Sequence, residues 1–244
     1  MMTKSKFSET PSIFIPFGIL RDSELKQGTK LCYGGLVYFA KYNIGCSPKR
    51  KELAELLNVS TTQIDIYLRD LENHCYIKVD RGIYKDKRNR YRFLLHRNFY
   101  CSPSVCKVSD EELKRRRMWS FFSPMKYLYG AYLPLCVLQD TNISQASKVC
   151  LARLVQFDWK NLKNIFVSKK LLAEECGASL TQIKYYLRDL EDAGYIEFNK
   201  SNGRTLCKIN QEIFFGKIPS KPRESGKTKT ANLRKQKEVS LCEN

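Results

Sequence analysis

Two short sets of side chains recur at helical spacing: Thr62, Gln63, Ile66 and Arg69, and later Thr181, Gln182, Lys184, Tyr185 and Arg188. Their chemistry is recognition, not bond making. A guanidinium reads guanine bidentately, a glutamine amide suits adenine, and threonine or isoleucine can touch the thymine methyl. Three- and four-residue spacing puts each set on one side of a helix, with Asp65 flanking the first. Ile64, Leu68 and Leu71, like Ile183, Leu187 and Leu190, recur on the other side as a buried stripe. Each helix is therefore expected to be pinned by one face and to offer the other.

The helices belong to a longer repeat. Ser60-x-Thr-Gln-Ile-x-x-Tyr-Leu-Arg-Asp-Leu-Glu-x-x-x-Tyr-Ile returns at Ser179, about 119 residues on, and Leu53, Ala54 and Glu55 are answered by Leu172, Ala173 and Glu174. The repeated unit is a whole small domain. Ser60 with Gln63, and Ser179 with Gln182, read as capping boxes. Arg69 and Glu72, and Arg188 and Glu191, are three apart, so each arginine could instead serve a helix-surface ion pair. Tyr67 and Tyr186 lean toward the buried side.

The chain has 244 residues, 43% of them apolar, enough for two domains with two cores. Its formal charge of +18 would draw it to a polyanion. No apolar run of about 18 residues suggests a membrane span, and Met1 to Thr10 lack a signal-peptide core, so a cytoplasmic protein is expected. Ten cysteines include no Cys-x-x-Cys, and only His74 and His96 could add nitrogen ligands, so neither a metal nor any other cofactor is expected. Cys32 and Cys150 fall at matching points in apolar helices, where a thiol acts as a small buried hydrophobe. Ser225-Gly226-Lys227-Thr228 lacks the upstream glycine of a phosphate loop, Lys221 standing in its place. No catalytic residues and no small-molecule substrate emerge, and the chain reads as a non-enzyme.

The layout is expected to be α+β. A flexible arm (1–12) precedes a first domain (13–99). There an extended Ile-Phe-Ile-Pro-Phe leads to a helix near Thr29 to Lys41, and Ser47-Pro48 opens a second. Asn58, matched by Gly177, makes a sharp corner before the third helix. Strands at Tyr76 to Asp80 and Tyr91 to Leu95 follow. A partly helical basic linker (100–126), broken at Ser123-Pro124, leads to a second domain (127–215) with strands at Tyr195 to Asn199 and Thr205 to Ile209, and then a disordered basic tail (216–244). Three helices and a hairpin, with a tight corner before the third helix, are the plan of a winged helix-turn-helix, here twice in tandem.

Phosphate contacts are expected from the loops between the strands and from helix starts. The first loop region holds Arg81, Lys85, Lys87, Arg88, Arg90, Arg92 and Arg97; the second runs from Lys200 to Arg204. Lys49, Arg50 and Lys51 open one second helix, and Lys169 and Lys170 the other.

The run Ile-Pro-Phe-Gly-Ile-Leu-Arg-Asp-Ser-Glu-Leu, with Thr-Lys-Leu-Cys-Tyr, Ser-Pro-Lys-Arg-Lys-Glu-Leu-Ala and the Asn-Val-Ser corner, resembles the winged-helix module of bacterial plasmid and phage replication proteins. Its duplication is similar to the two-winged-helix plasmid replication initiators. The resemblance implies a protein of the bacterial cytosol or nucleoid that binds repeated origin sequences in double-stranded DNA without enzymatic activity. Its third helices would enter successive major grooves while its wings track the backbone. Partners would be DNA and, further, a second copy or the replication machinery. Transcriptional regulation fits the same plan, as does an adaptor in which one winged helix binds protein.

Overall fold

The computed structural model describes residues 11–82, 88–99, 121–157, 165–166, 168–201 and 204–212. The arm before residue 11, most of the linker and the basic tail lie outside them. The fold is α+β, and one order of elements occurs twice. In the first half, strand β1 (Ser12–Pro16) runs into helices α1 (Phe17–Leu20) and α2 (Gln27–Ala40), followed by β2 (Gly45–Cys46), α3 (Arg50–Leu57), α4 (Thr61–Asn73), β3 (Ile77–Asp80) and β4 (Arg90–Phe93). After a helical turn α5 (Pro124–Tyr127), the second half repeats the order. Its elements are β5 (Gly130–Pro134), α6 (Leu135–Gln139), α7 (Gln145–Phe157), β6 (Ile165–Phe166), α8 (Lys169–Cys176), α9 (Leu180–Asp192), β7 (Ile196–Ser201) and β8 (Arg204–Ile209).

Local chemistry explains most boundaries. Asn58 (φ 51°) and Gly177 (φ 57°) end α3 and α8 in the left-handed conformation, so the chain turns at once into the next helix. Cys75 and Gly194 do the same after α4 and α9. Ser168 and Ser179 cap α8 and α9 through their hydroxyls. One expectation needs correction at a helix start. Ser47-Pro48 stands before α3 instead of opening it: Lys49 is the N-cap residue, and its backbone N–H donates to Glu52 Oε2 at 2.7 Å. Ser123-Pro124 starts a helical turn, and the linker helix expected to end before it lies outside the described residues. Each hairpin also gains a third, two-residue strand, giving sheet orders β2-β4-β3 and β6-β8-β7.

The larger difference from the sequence reading is that the halves share one continuous core. β1 pairs antiparallel with its own counterpart β5, Phe14 opposite Tyr132, and α2 packs on its counterpart α7. Contacts between the halves then come in matched pairs: α3 lies on α6 and α8 on α1. Equivalent elements meeting in this reciprocal way are related by an approximate two-fold.

Matched polar bonds brace each half, and others cross the joint. Tyr76 donates to Asp22 and Tyr195 to Asp140, each at 2.6 Å. Thr29 and Ser147 donate to Asp70 and Asp189, tying each first helix to its third. Across the halves, Asn58 Nδ2 donates to the Gln139 carbonyl at 2.9 Å. Arg21 and Arg153 both pair with the buried Glu175 carboxylate, and Arg153 also lies over the Phe17 ring. The Tyr67 hydroxyl donates to Gln145 Oε1 at 2.6 Å. Gly28 sits beside that bond, where a Cβ would run into both side chains.

Lys30 is wholly buried at this joint, its Nζ donating to the Leu20 and Cys176 carbonyls at 2.7 Å each. Burial pushes its amine down from 10.5 to about 8. Between those values the unfolded chain binds more protons than the folded one, so this group makes stability rise with pH across that window. Urea unfolding at a series of pH values should show wild type gaining on Lys30→Met between about pH 8 and 10.5. Parallel pH profiles for the two proteins would contradict the assignment.

Candidate nucleic-acid interface

The corner between α3 and α4 decides which side of α4 is buried. Because Asn58 turns the chain sharply, Ile64, Tyr67, Leu68 and Leu71 dock on the core, leaving Thr62, Ile66, Arg69 and Asn73 outward. Ile66 is 41% exposed, a large apolar side chain kept in solvent. In α9, Ile183, Leu187 and Leu190 are buried while Thr181, Gln182, Lys184, Tyr185 and Arg188 are exposed, Tyr185 to 67%. Both helices thus present the face whose residue types suit base edges. Tyr67 is buried and Tyr186 half-buried, as expected.

The two faces differ in how their polar groups are held. Ser179 and Gln182 form the full capping box, Gln182 Oε1 accepting from the Ser179 N–H at 2.8 Å. In α4 only the hydroxyl half forms, Ser60 Oγ accepting from the Gln63 N–H at 3.1 Å. The arginines are also held differently from the expected i,i+3 pairs. Glu72 binds Arg81, at 2.6 Å, leaving Arg69 on the surface. Arg188 approaches Asp192 at 3.9 Å and stays 60% exposed.

The expected backbone-facing cations fall into three groups. Lys49, Lys169 and Lys170 are exposed at the starts of α3 and α8, and Arg88 is exposed ahead of β4, with Arg90 half-buried on it. Arg50 forms an ion pair with Asp65, its Nε lying 2.7 Å from Oδ1. Arg92 is used by the fold: it binds Asp80 at 2.5 Å and lies over the Phe121 ring at 3.9 Å, holding the carboxyl of Asp80 below its usual range. Lys85 and Lys87 lie outside the described residues. Lys200 and Arg204 are placed as strand backbone at the turn end of the β7–β8 hairpin, and their side chains lie outside the described part.

Between α4 and the β3–β4 sheet lies a cleft of about 240 Å³. Arg50, Arg69 and Arg81 share its rim with Asp65 and Glu72, and Tyr91 lines it. Sequence reasoning passed over Asp65 as a site residue. The one signal available was its register with Lys184, a reversal of charge at equivalent positions. Among the described residues no group of three or more His, Cys, Asp and Glu gathers in metal-binding geometry, and no helix is long and apolar enough to cross a membrane. The buried Cys32 and Cys150 thiols are pushed up, Cys32 by burial and Cys150 by its hydrogen bond with Cys176 and by burial.

Residues 166–197 match the family model for winged helix-turn-helix DNA-binding. The matched stretch runs from β6 through α8, the Gly177 corner and α9 into β7. No curated protein matches the chain. On the expectation that the hairpins meet the DNA backbone, Arg88 and Arg90 are phosphate contacts. Neutralising Arg88 and Arg90 together should therefore weaken binding to every duplex alike. The log–log salt slope should fall by about 0.9 for each phosphate that the protein no longer neutralises, as fluorescence anisotropy across a salt series would measure. An unchanged slope would remove both residues from the interface.

Proposed function

We propose that the chain is a double-stranded DNA-binding protein with sequence preference, belonging to a plasmid, phage or other mobile element and acting in replication initiation or its control. It works by binding alone, in the bacterial cytosol or nucleoid, through two winged helix-turn-helix units. The observation that carries this reading is the pair of exposed faces on equivalent helices, α4 and α9, one of them inside the matched segment. A net charge of +18 supplies attraction to the backbone, and Thr62, Ile66, Arg69, Thr181, Tyr185 and Arg188 supply the means of reading bases.

The approximate two-fold gives the reading a geometric consequence. Helices related by a two-fold suit half-sites in opposite orientation about one turn of duplex apart, roughly 10 bp. The residues on α4 and α9 differ, so these half-sites differ in sequence: Ile66 stands where Tyr185 does, and Asp65 where Lys184 does. The same reader would serve a transcriptional regulator. Where its sites lie separates the two: repeated copies across an origin mark initiation, and a single copy over a promoter marks repression.

Selection from a random duplex pool, followed by binding measurements, tests this directly. Wild type is expected to select one bipartite sequence. Arg188→Ala should relax one position in one half, at a cost of about 1–3 kcal/mol against the preferred duplex. Equal affinity for single strands, RNA and all duplexes would sink the groove-reading model.

A further inference from the structure

Asp65 is an acidic group beside the α4 reading face, and attraction to phosphate does not explain it. It lies between Thr62 and Arg69 on the exposed side, with 44% of its side chain accessible, in a chain of net charge +18. Arg50, in the first turn of α3, pairs with this carboxylate, its Nε 2.7 Å from Oδ1. The fold does not require this pair. The second half builds the same helix corner with Lys169 in place of Arg50 and Lys184 in place of Asp65. An ion pair this exposed adds little to stability. A carboxylate kept there, oriented and half in solvent, fits a ligand donor.

We propose that Asp65 reads a cytosine in the major groove, Oδ2 accepting from the base's N4 amino group while Arg50 fixes the carboxylate's orientation. This rests on the DNA-binding reading above and adds a base identity to it. Cytosine and adenine are the bases that offer an amino group in that groove. Adenine places its N7 acceptor beside N6, facing the carboxylate's lone pairs, whereas cytosine presents no acceptor there, so cytosine is preferred. At the equivalent position Lys184 favours the O6 and N7 acceptors of guanine, so the two half-sites differ in kind at matched positions. Arg50 is a positioning residue in this scheme, and Asp65 makes the contact.

The test is duplex selection with the full chain as wild type, Asp65→Asn, Asp65→Lys and Arg50→Met, followed by competition between the selected duplex and its single-base variants. Wild type should prefer cytosine at one position by about tenfold. Asp65→Lys should move that position alone to guanine, Asp65→Asn should abolish the cytosine preference, and Arg50→Met should flatten it without altering other positions. The proposal is overturned if the Asp65 variants tighten binding to all duplexes equally and select the wild-type sequence, because the carboxylate then only repels phosphate. If wild type selects no duplex at all, the DNA-binding reading itself fails, and wild type alone reveals that.

Discussion

The antiparallel pairing of β1 with β5 is the constraint on which the rest of the molecule depends. It sets Phe14 opposite Tyr132, residues at equivalent places in the two halves, so the strand pair is close to its own two-fold. Residues Ile13, Ile15, Ala131 and Leu133 alternate with those two and are wholly buried. They hold α2 and α7 in contact beneath the strands. Two units that could each have folded around a private core are fused into one body with a fixed relation between their third helices. Glu175 between Arg21 and Arg153, and Lys30 between two carbonyls, then leave the joint few other geometries. Moving either half would take the Cys176 carbonyl from buried Lys30 and the Arg21 partner from Glu175.

Within that rigid frame the halves have diverged at the surface while keeping their interior. The tyrosine–aspartate bonds Tyr76–Asp22 and Tyr195–Asp140 are retained, as are the hydroxyl–aspartate bonds from Thr29 and Ser147. The outward residues change in type and charge. α9 carries Lys184 and the open Tyr185 ring. α4 carries Asp65 and Ile66, with Arg69 beside a cleft that Arg50, Arg81, Asp65 and Glu72 also line. A duplicated scaffold with two different faces suits a composite, asymmetric target better than two copies of one sequence.

Much of this was legible in the chain. The repeat from Ser60 to Ile77, its buried stripe at three- and four-residue spacing and the Asn58 and Gly177 corners are local signals, and local signals determine helix faces. The two-residue strands β2 and β6 were too short to carry an alternating pattern. Ile13 to Phe17 read as extended, but a five-residue apolar strand does not name its partner, so the fusion of the halves stayed hidden. The same limit applies to side chains. Arg92 looked like a wing cation, and only proximity to Asp80 and Phe121 reveals its structural use; the Arg50–Asp65 pair likewise joins residues whose approach depends on the packing of α3 against α4.

Tethered cleavage tests the two-reader geometry most directly. A DNA-cutting group attached at position 66 in one preparation and at position 185 in another should cut the same selected duplex at two distinct places. The clusters should lie about one helical turn apart, roughly 10 bp. Coincident clusters, or cutting from only one of the two positions, would contradict a two-fold reader built on paired β1 and β5.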